Sequence, residues 1–135
     1  VERLLIIIAV GLVATLIAAM YRRRQPEAAP TPTGDVPASV DRADFVAPDS
    51  PWLLAVFTSK TCLACAGVVG ALSGFESNSV ALQNVEVSDD AALHKKYRID
   101  SVPMALAVDR EGLVQQAYVG PLSPADKSSL GALLS

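Results

Sequence analysis

Leu4 to Met20 (LLIIIAVGLVATLIAAM) is a stretch of seventeen residues without a charge, and it limits what this 135-residue chain can fold into more than any other feature. As a helix rising about 1.5 Å per residue it spans roughly 25 Å, near the lower length for crossing a bilayer. A core helix of a soluble protein is a poor alternative, because such helices carry polar residues on one face. A cleaved secretory signal is the stronger rival. Against it, the basic cluster Arg22-Arg23-Arg24 follows the apolar run, whereas a signal peptide carries its positive charge ahead. Tyr21 adds an aromatic residue of the kind found at the lipid–water interface. The expectation for residues 1–24 is a single-pass membrane anchor with a basic flank that can contact anionic lipid headgroups.

The charges also set an orientation. Arg3 and the amino terminus, offset by Glu2, precede the span, and three arginines follow it. The positive-inside rule then places the C-terminal domain in the cytoplasm, with the extracytoplasmic side as the alternative. Val1 stands either as a start codon read literally or downstream of further sequence whose charges would bear on this orientation.

Residues 25–40 (QPEAAPTPTGDVPASV) hold four prolines and no large hydrophobic residue except two valines. That composition cannot build a core and reads as a semi-extended tether, its last few residues open to joining the domain as an arm. Residues 41–135 are enough for one compact core without metals or disulfide staples. They carry eleven acidic and seven basic residues, a net charge of −4, which gives no footprint for nucleic acid. A monomeric domain is expected.

Within this domain Trp52 to Phe57 is a continuous apolar run, as in a strand covered on both faces. Thr61 is placed to cap a helix starting at Cys62, which carries Cys65, Val68, Val69 and Leu72 at helical spacing and stops near Gly74. A second strand over 80–87 follows, then a helix opened by Ser88-Asp89-Asp90 and running through Leu93 to Tyr97. Met104 to Val108 and Leu113 to Val119 read as a hairpin about Asp109-Arg110-Glu111-Gly112. Ser123-Pro124-Ala125-Asp126 is a capping box that starts the last helix. The expected order is strand, helix, strand, helix, strand, strand, helix.

The only two cysteines stand as Cys62-Leu63-Ala64-Cys65. Residues i and i+3 of a helix share a face about 5–6 Å apart, within reach of a disulfide. Cys62 at a helix start meets unpaired N–H groups and the positive end of the dipole, so it should have a lowered pKa and act as nucleophile. Cys65, one turn in, is the resolving thiol. Zinc is disfavoured, since a structural site needs four ligands and the chain offers two cysteines and one histidine. A copper(I) site lacks supporting methionines, and two inert core cysteines remain the plain alternative. No metal or cofactor is expected.

Element order and the CxxC after the first long strand resemble the thioredoxin superfamily: an α/β fold with a central mixed sheet flanked by helices, here preceded by one transmembrane helix. Residues 97–104 (YRIDSVPM) resemble the segment carrying that family's cis-proline. The resemblance covers roughly 44–134 and implies a cis Val102–Pro103 bond facing the CxxC, with the Val102 backbone pairing with a bound polypeptide. The plan is similar to the small bacterial thioredoxin-like proteins with one N-terminal anchor. The cytochrome-maturation branch typically adds an insertion, for which the 37 residues between Cys65 and Pro103 leave little room. Thioredoxins proper have Trp-Cys-Gly-Pro-Cys where this chain has Thr61-Cys62-Leu63-Ala64-Cys65, a buried aspartate where it has Val56, and a tryptophan where it has Thr58.

The resemblance implies a membrane-tethered thiol–disulfide oxidoreductase that reduces or exchanges disulfides in protein clients, supplied by a separate electron donor or acceptor. The alternative is a redox-silent thioredoxin-fold interaction module anchored to the membrane. Lys60 and Thr61 are candidates for tuning the Cys62 thiolate, while His94, Lys95 and Lys96 read as a solvated helix face, and Trp52 and Phe57 as core. A cysteine-free reporter fused after Ser135 should behave as cytoplasmic; activity only from a reporter that needs export would reverse the charge-based orientation.

Overall fold

The computed structural model describes residues 1–24 and 36–135. The part of the tether at 25–35 lies outside the described residues. Helix α1 (Glu2–Arg24) is 23 residues long, and Glu2–Met20 has a mean hydropathy of 2.5 with none of its length buried. At about 1.5 Å per residue the 19-residue stretch Glu2–Met20 is roughly 28 Å long, close to a hydrocarbon layer of about 30 Å. The same length and composition occur in signal sequences. The first unit, holding α1, is separate from the unit that holds the globular domain.

In that domain, strands form where the chain is continuously apolar. β1 (Trp52–Thr58) pairs in parallel with β2 (Val80–Glu86) and antiparallel with β3 (Met104–Val108); β3 pairs antiparallel with β4 (Val114–Val119). The sheet order is β2-β1-β3-β4. Helix α2 (Cys65–Ser73) connects β1 to β2, α3 (Ala91–Lys96) connects β2 to β3, and α4 (Pro124–Leu134) ends the chain. The order is the one the sequence predicts, and the strand and helix bounds agree to within a residue or two except at the starts of α2 and of α3, which opens at Ala91 rather than at Ser88.

Period-two alternation divides the core between the sheet's faces. Leu53, Ala55 and Phe57 join Val85, Met104, Leu106 and Phe45 on one face, with Leu93 of α3 packed against them. Leu54 and Val56 join Val68 and Leu72 of α2 and Leu130 of α4 on the other. The α4 capping box is complete: Ser123 Oγ accepts from the Asp126 N–H at 3.1 Å, and Asp126 Oδ2 accepts from the Ser123 N–H at 2.8 Å. Each half satisfies an amide that the helix leaves unpaired.

Residues 38–40, the end of the segment whose composition reads as a tether, are part of this core. The Val40 N–H donates to the Gly112 carbonyl at 2.8 Å, the Val114 N–H donates to the Ala38 carbonyl at 3.0 Å, and Val40 is buried. Gly112 has φ of 88°, and a Cβ there would collide with the Val40 carbonyl oxygen, so the hairpin requires glycine on two counts. Just beyond, Arg42 is buried and donates to the carbonyls of Asp109 (2.8 Å) and Ala47 (2.9 Å). Asp44 accepts from Lys96 Nζ at 2.6 Å and from the Tyr97 hydroxyl, tying the arm to α3. Lys96 is therefore not simply a solvated charge.

His94 also departs from expectation. It is buried, its Nε2 lies 2.8 Å from the Val85 carbonyl, and its ring meets Phe57 edge-on at 5.1 Å. α3 is short and lies against β2, so the face bearing His94 is turned inward and the ring's polar atom bonds to the backbone.

A chain beginning at residue 36 should be soluble, folded and monomeric. One beginning at residue 41 should lose about 3 kcal/mol in denaturant unfolding, from Val40 burial and two backbone hydrogen bonds. Equal stability of the two would detach the arm from the core. The Asp44 carboxyl is held below its ordinary value, chiefly by the hydrogen bond from Lys96 and next by that from Tyr97. A depressed carboxyl stabilises the fold above its unfolded pKa of about 3.9, and that stabilisation is lost as pH falls through the folded value. Asp44→Asn should thus cost on the order of 1 kcal/mol at neutral pH, with the difference from the parent vanishing in strong acid. A difference independent of pH would rule out the charged form as the stabilising species.

Candidate active site

β1 delivers the chain to one end of the sheet. Its last residue, Thr58, is buried and donates from Oγ1 to Asn84 Oδ1 at 2.6 Å. A turn follows, in which the Cys62 N–H donates to the Ser59 carbonyl at 3.1 Å. Helix α2 opens only at Cys65, three residues later than the sequence suggests. Thr61 does not cap it: the Thr61 hydroxyl lies 3.0 Å from that of Ser59, and the residue before the helix, Ala64, supplies no side-chain cap. The local competition of Ser59 and Thr61 for turn hydrogen bonds accounts for the late start.

Cys62 and Cys65 form a disulfide with Cα atoms 5.5 Å apart, inside the usual range for such a bridge. The two sulfurs differ in access. Cys62 is half-buried, whereas Cys65 is 4% exposed and sits in the first turn of α2 above Val68 and Leu72. Leu63, between them, is fully exposed. The first amides of α2 have no intrahelical acceptor, so the mouth of an uncapped helix faces the cysteine turn.

Val102–Pro103 is a cis peptide bond. Phe57 pairs with Met104, so Pro103 stands just before β3 at the sheet end where β1 releases the cysteine turn. The Pro103 carbonyl accepts from the Gly120 N–H at 2.9 Å, which joins the end of β4 to the same corner. Val56 is buried against Val68 and Leu72, so the position where thioredoxins proper carry an acid is apolar core here.

A cleft of about 520 Å³ opens beside the pair, lined by Lys60, Cys62, Cys65, Val69, Asn84 and Glu86 among others. Asn84 and Glu86 come from β2, where Glu86 is in register with Thr58. Sequence reasoning missed both, because only the β1–β2 register brings them to the cysteines. Lys60 Nζ lies 3.9 Å from Glu86 and 3.8 Å from Asp89, so its charge is directed to two carboxylates. Among the described residues no cluster of three or more metal-binding side chains occurs.

No protein-family model matches the sequence, and no curated protein does. Solved structures match the fold. Thioredoxin-2 of the malaria parasite, described as a component of its protein secretion machinery, is 16% identical, with 62% of this chain and 82% of that chain covered at a TM-score of 0.53. Chloroplastic thioredoxin z is 16% identical, with 64% and 79% covered and a TM-score of 0.53. StoA from Bacillus subtilis is 15% identical, with 78% and 98% covered and a TM-score of 0.52. The chain has a thioredoxin-like fold. Its CxxC stands at the end of the first strand and its cis-proline at the start of the third, the two markers that the sequence resemblance rests on.

Proposed function

We propose that this chain is a thiol–disulfide oxidoreductase tethered to a membrane by α1. The observation that carries the reading is an unequal cysteine pair, half-exposed Cys62 bonded to buried Cys65, at the mouth of an uncapped helix. Thiol–disulfide exchange needs that inequality: an accessible sulfur to attack or be attacked, and a shielded one to resolve the mixed disulfide. Because α2 opens three residues past Cys62, its positive end favours a Cys62 thiolate less strongly than a helix opening at Cys62 would. Lys60 and Thr61 tune it less directly than the sequence suggests, since Lys60 is shared with carboxylates and Thr61 is engaged with Ser59.

Val102 is half-buried beside Pro103, at the corner a client polypeptide would occupy during exchange. Its backbone is the proposed docking edge, and the clients are proteins carrying disulfides or dithiols. A separate donor or acceptor returns the pair to its starting state. The length and hydropathy of α1 support retention in the cell membrane as a single span, and the arginines after it favour a cytoplasmic domain.

In the reduced full chain, alkylating reagent should modify Cys62 well before Cys65. Cys62→Ser should abolish exchange, while Cys65→Ser should keep the first attack and accumulate mixed disulfides with clients. Equal reactivity of the two thiols, or unchanged cellular function in the double serine variant, would leave the anchored interaction module as the better description.

A further inference from the structure

The cleft beside the cysteines contains one carboxylate, that of Glu86. It shares the α2 face of the sheet with Asn84, and its side chain is only 12% exposed. Three donors converge on it: the Lys60 N–H at 3.1 Å, the Ser88 N–H at 2.9 Å and the Ser88 hydroxyl at 3.2 Å. Burial pushes this carboxyl up, but the hydrogen bonds outweigh burial and hold it below its ordinary value. Glu86 is therefore a fixed anion over the range in which thiols titrate, and a poor acceptor for the Cys65 proton.

A fixed anion has a different effect on the pair, because negative charge disfavours a neighbouring thiolate. The other charged groups at this cleft do not cancel it. Lys60 is 67% exposed and is shared with Asp89, so solvent screens its ammonium more than it screens Glu86. The residues α2 contributes to the cleft besides Cys65 are Ala66, Val69 and Gly70, none of them ionisable. His94 lies on the opposite face of the sheet, with Phe57 and Val85.

We infer that Glu86, an anion built into the cleft of the cysteine pair, biases that pair toward giving up electrons to client disulfides. This rests on the oxidoreductase reading above and adds its direction. Destabilising the thiolate of the reduced pair favours the disulfide, which is the opposite of the arrangement in strong oxidants, whose reduced form is stabilised. Cys62 sulfur bonds to one client sulfur as the client disulfide breaks, and the departing sulfur takes the electron pair and a proton from solvent. Cys65 then loses its proton to solvent and attacks Cys62, and the second client thiol departs protonated. Two electrons and two protons reach the client, and a reduced dithiol donor restores the pair.

The test uses the purified full chain in detergent. Glu86→Gln keeps an acceptor for the Lys60 and Ser88 donors and removes the charge. It should lower the Cys62 pKa, read from thiolate absorbance, by about half a unit. In glutathione buffers above that pKa, it should shift the equilibrium about threefold toward the dithiol. Either quantity unmoved in a folded variant overturns the inference. If Glu86→Gln does not fold, Glu86→Thr decides in its place: it also removes the charge at a strand position and must lower the Cys62 pKa, and no fall overturns the inference. Failure of the oxidoreductase reading has a separate signature: the parent chain leaves client disulfides intact while the pKa shift of Glu86→Gln still appears.

Discussion

The burial of β1 on both faces is the constraint from which the rest of the domain follows. Leu53 to Phe57 are all 0–1% exposed, and they supply side chains to both core clusters. A strand so placed must be covered by helices on each side and paired along both edges, because its backbone groups have no access to water. Its C-terminal end is then a fixed point. The chain leaves Thr58 in one place and one direction, and the cysteine turn inherits that placement.

Much of this was legible in the sequence because the signals are strong and local. The unbroken apolar run at Trp52–Phe57, the Asp109–Gly112 turn and the Ser123–Asp126 box each specify their element by a mechanism that needs no distant partner. The pairing of CxxC with Ser101-Val102-Pro103 predicts the fold because it links segments far apart in the chain. Val56 illustrates the reverse: departure from an acidic position is visible in the sequence, and only the packing shows that Val68 and Leu72 close over it.

What was not legible depends on register or on competition between nearby polar groups. Glu86 carries no local signal in the sequence, and only the parallel pairing sets it opposite Thr58. His94 reads as solvated because its neighbours Lys95 and Lys96 are charged, yet the ring finds the Val85 carbonyl and the edge of Phe57. The sequence points to an earlier start for α2 because Thr61 has the right chemistry for a cap and spends it on Ser59. Polar side chains with several partners in reach are where periodicity loses its power to decide.

The arm at Ala38–Val40 joins the domain beside Gly112 and the start of β4. The cysteine turn leaves from the other end of the same sheet, where Phe57 meets Met104. Five residues of β3, roughly 17 Å of extended chain, separate the two. Force entering the domain at residue 38 therefore meets the sheet at the rim opposite the turn that carries the sulfurs.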